Sequence, residues 1–127
     1  MASVSVLLVD DHADSREVFA TILRYHGYDV VEAADGHEAL RWTEGAVPGV
    51  VVTDLNMPIL DGASLIRALK RDPALAAVPT LVVTADTALQ ARSDAESAGC
   101  SAFILKPLSP RSLLAAVQAL SPAEAPV

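Results

Sequence analysis

Residues 4–11 read Val4-Ser5-Val6-Leu7-Leu8-Val9-Asp10-Asp11, an apolar, valine-rich run that stops at two consecutive aspartates. A run this short suits a buried strand and is far too short for a membrane span. Four similar runs follow at 28–33, 49–53, 80–84 and 102–105. Between them the apolar residues change to helical spacing. In the first such segment Val18, Phe19, Ile22 and Leu23 are expected on one face. Asp14 stands there as the cap, Glu17 lies three residues on, and Gly27 supplies a left-handed stop. The second segment covers 36–44 and ends at Gly45, with Trp42 packing on it. The third carries Leu65, Ile66 and Leu69 and is ended by Asp72-Pro73. A fourth, about 88–98, is weak: alanine and polar residues, with Leu89 its single large apolar side chain. The last opens on Ser109 as cap and Pro110 at the first helical position, then buries Leu113, Leu114, Val117 and Leu120.

Strand and helix alternate five times, which implies βαβ units and a parallel sheet covered by helices on both faces. The first, third and fourth runs are nearly continuous apolar and belong in the middle. The second carries Asp29 and Glu32 and the fifth is short, so both suit edges. Edges at two and five give the strand order 2-1-3-4-5, the three-layer flavodoxin-like (βα)5 arrangement of the α/β class. At 127 residues the chain is expected to hold one domain, 1–120, with 121–127 as a tail or the start of a linker.

Charge narrows the partners. Nine Lys+Arg against sixteen Asp+Glu leave −7, which argues against direct nucleic-acid binding and against anionic lipid. No uncharged run reaches the roughly 18 residues of a membrane span. No basic residue precedes the first apolar run, as a leader would require, so a cytoplasmic protein is expected. Cys100, the single cysteine, excludes an internal disulfide and reads as a small packed thiol entering the fifth strand. His12, directly after the acidic pair, reads first as an exposed loop histidine, with a phosphate or metal neighbour as the alternative; His26 reads as a residue near a helix C-terminus and His37 as helix surface. None is spaced for zinc.

In an open parallel sheet, ligands bind at the carboxyl ends of the strands. Strand one ends in Asp10-Asp11, strand three in Thr53-Asp54, strand four in Thr84-Ala85 and strand five in Lys106-Pro107. Alone, each of these is an ordinary turn, cap or loop residue. Together they bring three carboxylates, a hydroxyl and an ammonium to one edge. Close carboxylates repel one another unless a cation lies between them. Oxygen ligands in a partly hydrated site suit Mg2+, which would balance the formal charges of Asp10, Asp11, Asp54 and Lys106. A carboxylate can then accept a phosphoryl group, a transfer that needs mainly positioning and charge compensation.

Val9-Asp10-Asp11, Asp54-Leu55-Asn56-Met57-Pro58 with Asp61-Gly62, Thr84-Ala85 and Lys106-Pro107 resemble, in order and spacing, the signature of the two-component response-regulator receiver domain. The resemblance covers about residues 4–120. It implies that Asp54 is the phosphoacceptor, charged by a sensor histidine kinase or phosphotransfer protein. It implies that Asp11, Asp54 and the Asn56 carbonyl hold Mg2+, with Asp10 acting through water. Thr84 and Lys106 would bind the phosphoryl oxygens, and the Lys106-Pro107 bond would be cis. Phe103 falls at the switch-aromatic position beside Thr84, and Asn56 and Asp86 at positions that tune the lifetime of the phosphoryl group. The output would be a downstream protein target or a homodimer, through the face of the fourth helix, fifth strand and fifth helix. Such a domain is a signalling module that assists its own phosphorylation and dephosphorylation, not an enzyme. A haloacid-dehalogenase-like phosphotransferase fits less well, because Asn56 stands where its second aspartate is required. A non-phosphorylated binding module would lack Asp54, Lys106 or the acidic pair, and all are present.

Overall fold

The computed structural model describes residues 4–121. In chain order they form β1 (Ser5–Val9), α1 (Ala13–Tyr25), β2 (Asp29–Ala33), α2 (Gly36–Thr43), β3 (Val50–Thr53), α3 (Gly62–Arg71), β4 (Thr80–Thr84), α4 (Leu89–Ala98), β5 (Ala102–Leu105) and α5 (Pro110–Leu120). The strands make one sheet in the order β2-β1-β3-β4-β5, and every neighbouring pair is parallel. Class, topology and edge strands are those expected from the sequence. Of the tail or linker expected at 121–127, Ser121 caps α5 and residues 122–127 lie outside the described residues.

The two-residue period of a strand divides the core. Val6, Leu8, Val50, Val52, Leu81 and Val83 point to one face and pack on Ala20 and Leu23 of α1 and Leu113 and Val117 of α5. Leu7, Val9 and Val51 point to the other, against Ala39 of α2 and Leu65 and Leu69 of α3. Trp42 packs against this second cluster from α2. A third cluster joins Val82, Leu55, Ala63 and Ile66 to Ala95 and Ala98 of α4. Each fully buried Val or Leu stabilises the fold by roughly 1.5–3 kcal/mol, so the two faces of β1, β3 and β4 hold most of the sheet's stability.

Two expectations for α1 are corrected. Its N-cap is His12, not Asp14, and His12 makes no side-chain capping bond. The cause is Asp10, whose Oδ1 accepts the His12 amide at 2.9 Å and turns the chain into the helix early. Asp14 lies in the first turn, where its charge still suits the helix dipole. Val18 is exposed rather than buried. At 3.6 residues per turn it lies about 140° round the helix from Leu23 and about 160° from Ala20, the two residues that dock α1.

The other helix signals behave as read, except that α5 buries Leu113 and Val117 while Leu114 and Leu120, also expected inside, are only partly buried. Asp72 follows α3, Ser109 accepts the Ser112 amide at 3.1 Å, and Pro110 opens α5. Cys100 is partly buried beside the third cluster, and burial first, then Glu96, push its thiol above the ordinary value. No helix among the described residues is long and apolar enough to cross a membrane.

Candidate functional site: an acidic pocket at the carboxyl edge of the sheet

The ladder continues past the strands and delivers two aspartates side by side. The Asp10 amide bonds the Ala33 carbonyl and the Asp54 amide bonds the Val9 carbonyl, each at 3.1 Å. Both side chains are sequestered, Asp10 being 2% and Asp54 7% exposed. Buried charges persist only when paired. Lys106 pairs both at once, its Nζ lying 3.1 Å from Asp10 Oδ2 and 3.2 Å from Asp54 Oδ2. The remaining oxygen of Asp54, Oδ1, accepts the Leu55 amide at 2.6 Å and the Asn56 amide at 3.4 Å. Asp54 is thus held from both sides in one orientation.

Asp11 is handled differently. Its side chain is part-exposed, yet its Oδ1 is shielded from solvent and accepts no hydrogen bond. An orphaned carboxylate oxygen next to two buried carboxylates is the donor set of a hard cation, with three formal negative charges against one ammonium. The residues present fit a divalent ion. One oxygen each of Asp10 and Asp54 and one ring nitrogen of His12 also lie within 4.8 Å of one another.

The lysine's own titration reports the pocket. Burial lowers the Lys106 pKa, but the bond to Asp10 and the charges of Asp54 and Asp10 outweigh it and hold the ammonium above its ordinary value. A folded value above the unfolded one means that the stabilisation is complete below the ordinary lysine pKa of about 10.4 and is lost as pH rises through the folded value. Lys106→Met is expected to lose about 1–3 kcal/mol at neutral pH without metal, less than the cost of breaking a fully buried pair. The difference from wild type should shrink above the lysine range. Urea unfolding of both proteins between neutral and strongly alkaline pH checks this, and a pH-independent difference would contradict it.

The remaining predicted residues surround this centre. Thr84 is buried at the end of β4; its Oγ1 accepts the Asp86 amide at 3.2 Å and its carbonyl accepts the Lys106 amide at 2.8 Å. It is tied to the lysine through backbone, and no bond joins its side chain to Asp54. The Lys106-Pro107 peptide is cis. Phe103 does not reach the pocket; it packs under α4, where the Arg92 guanidinium lies 5.2 Å from its ring centroid.

Asn56 and Asp86 face each other across the mouth, Nδ2 donating to Oδ2 at 2.9 Å. That bond, with one from the Ala88 amide, lowers the Asp86 pKa. Both residues were legible in the sequence, but not as a pair. Two contacts were missed. Arg16 Nη1 donates to the Asp10 carbonyl at 2.6 Å while its Nε holds Glu32 at 3.3 Å. His12 is exposed as expected, yet its Nδ1 lies 3.4 Å from Asp10 Oδ1 and 3.3 Å from Asp11 Oδ1. The only sequence signal for either was proximity to the acidic pair.

An acidic, lysine-bridged pocket at the carboxyl edge of a 2-1-3-4-5 sheet places the chain among the flavodoxin-like α/β domains, whose ligands bind at that edge. Residues 6–118 match the family model described as the response regulator receiver domain, and the chain belongs to that family. Among curated proteins it is 37% identical over 123 residues to the transcriptional regulatory protein PrrA of Mycobacterium leprae, covering 94% of this chain and 51% of that one. It is 36% identical over 120 residues to the probable transcriptional regulator ycf27 of Porphyridium aerugineum, covering 94% and 49%. The chain therefore spans about half the length of the curated relatives it matches. Among solved structures it superposes on the chemotaxis response regulator CheY4 of Vibrio cholerae with a TM-score of 0.88 at 30% identity, covering 94% of this chain and 99% of that one. The receiver domain of sensor histidine kinase PA1611 from Pseudomonas aeruginosa, solved with a magnesium ion in its active-site cleft, matches with a TM-score of 0.87 at 29% identity, covering 94% and 98%.

Proposed function

We propose that this receiver domain takes a phosphoryl group on Asp54 from a histidine kinase or phosphotransfer protein, and that the transfer switches a protein-binding face. The observation that carries the reading is the doubly bonded Lys106 between Asp10 and Asp54, beside the orphaned oxygen of Asp11. Asp11, Asp54 and the Asn56 carbonyl would hold Mg2+, with Asp10 acting through water; the ion, when bound, supplies positive charge against the incoming phosphoryl oxygens.

The chain's own groups do the rest. A carboxylate oxygen of Asp54 forms the new bond to phosphorus as the bond to the donor nitrogen breaks, and the electron pair leaves with the donor imidazole. The amides of Leu55 and Asn56 keep the carboxylate aimed, and the Lys106 ammonium follows the negative charge onto the phosphoryl group. Thr84 donates its hydroxyl proton to a phosphoryl oxygen. The domain assists this transfer as a signalling module in a cytoplasmic pathway.

Mg2+ should raise the melting temperature, because an ion that binds only the folded state stabilises it by mass action. Asp11→Ala should melt higher than wild type without metal, since one repelling carboxylate is gone, and should lose the Mg2+ shift. A variant that keeps the full shift would remove Asp11 from the ligands.

The output face is proposed to be α4, β5 and α5. Helix α4 docks through the small residues Ala95 and Ala98, while Leu89 at its start is 87% exposed and Leu105 on β5 is also exposed. Few buried contacts place a segment at the low-stability end of a fold, where a modest pull moves populations. Thr84 leads into α4 and Lys106 leaves β5, so both ends of this face are attached to groups that turn toward the phosphoryl group. Hydrogen exchange with and without beryllofluoride, a phosphoryl mimic, tests the reading. Outside the pocket loops, the largest change is expected between Ala85 and Phe103. A change confined to α1 would overturn it.

A further inference from the structure

The pocket's oxygens account for a hard cation, but they leave the imidazole of His12 without a role. Its ring is 70% exposed, so burial does not hold it where it is. Nevertheless Nδ1 lies 3.4 Å from Asp10 Oδ1 and 3.3 Å from Asp11 Oδ1, and it forms one compact group with Asp10 and Asp54. The oxygens it faces are not the ones already taken by the lysine. Lys106 bonds Oδ2 of Asp10 and Oδ2 of Asp54, on the other side of the carboxylates. Arg16, the other nearby cation, is turned to the Asp10 carbonyl and to Glu32. The backbone fixes the position, because the His12 amide is itself bonded to Asp10 Oδ1 at 2.9 Å. A nitrogen donor therefore stands at the open side of the carboxylate group, nearest to an Asp11 oxygen that accepts no hydrogen bond.

Imidazole is a poor match for Mg2+, which prefers oxygen and retains its waters, and a good match for zinc, nickel and copper. We propose that His12 adds a nitrogen ligand to the acidic pocket, so that the domain holds a divalent ion of the zinc class more tightly than Mg2+ and the two compete for one site. The inference rests on the reading of this pocket as a cation site, and it makes residue 12 the determinant of which cation wins.

Calorimetric titration of the purified chain with Zn2+ alone and with Mg2+ alone, on wild type and His12→Ala, tests it. Because His12 is exposed and makes no side-chain cap, the variant is expected to fold. Zn2+ should bind wild type more tightly than Mg2+ does, and His12→Ala should lose at least about tenfold in Zn2+ affinity, the scale of losses when a metal site loses a supporting group. Its Mg2+ affinity should change by less than about twofold, since an oxygen-preferring ion does not use the imidazole. Unchanged Zn2+ affinity in the variant overturns the proposal while Mg2+ binding leaves the pocket reading intact. Equal losses for both ions also overturn it, because His12 would then shape the pocket rather than select its ion. A matching loss of Zn2+ in His26→Ala or His37→Ala marks scattered surface binding and overturns it as well. If wild type binds neither ion, the cation reading of the pocket falls with it.

Discussion

Asp54→Asn is expected to gain no phosphoryl group from acetyl phosphate and Mg2+, whereas wild type gains one adduct in intact-mass spectra. The substitution keeps the size of a side chain that is 7% exposed, so packing is undisturbed. The amide oxygen can still accept the Leu55 and Asn56 amides that hold Oδ1 of the carboxylate. What disappears is the anionic oxygen proposed to form the bond to phosphorus. The bond from Lys106 is lost too, but that ammonium keeps its 3.1 Å contact with Asp10. One of three repelling carboxylates is removed at the same time, so stability without metal should stay within about 1 kcal/mol of wild type. Loss of the adduct with the fold intact therefore reports chemistry, not unfolding. An adduct of unchanged yield in Asp54→Asn would move the phosphoacceptor elsewhere, with Asp11 the first alternative to test.

Gly62→Ala should destabilise the domain by about 3 kcal/mol or more, near the upper end of overpacking costs. Propensity alone predicts the opposite sign, because Ala is favoured over Gly inside a helix by about 1 kcal/mol. The decisive fact is space. A Cβ at Gly62 would overlap the carbonyl oxygen of Asp54 and stand 2.9 Å from Leu55 Cα, both backbone atoms that cannot swing away. The start of α3 is pressed against the strand end that carries Asp54, and the Gly62 amide seals the approach with a 2.9 Å bond to the Leu55 carbonyl. Relief of the overlap must move either α3, which buries Leu65, Ile66 and Leu69, or Asp54 itself. The variant should thus unfold at lower urea and also accept phosphoryl groups more slowly. Wild-type stability with wild-type transfer would show that the contact is looser than the structure has it.

The sequence was most legible where one local signal had one structural meaning. Short, nearly continuous apolar runs identify β1, β3 and β4 because a strand buried on both faces leaves little room for polar side chains. Asp29 and Glu32 place β2 at an edge for the same reason. Ser109-Pro110 opens α5 because those two residues satisfy a helix start by local geometry. The pocket was legible in its membership, since Asp10, Asp54 and Lys106 each follow a strand, Thr84 ends one, and a parallel sheet gathers strand ends on one edge.

What only the folded chain decided lies in contacts between segments distant in sequence, or in turns that tip a local balance. Local signals favoured Asp14 as the cap of α1, but the Asp10 side chain accepted the His12 amide and set the N-cap two residues after itself. Apolar spacing put Val18 inside, but α1 docks on Ala20 and Leu23 and turns Val18 to solvent. No pattern joins Asn56 to Asp86, thirty residues apart, or aims His12 at Asp10 and Asp11. Nor does a glycine in sequence reveal that its missing Cβ is space for the Asp54 carbonyl. Periodicity and charge determined which residues share an edge, because those follow from the repeat of a strand and the cost of burying a polar group. Which atoms of those residues meet was left to the tertiary structure, because hydrogen bonds and steric overlap are settled within a few tenths of an ångström.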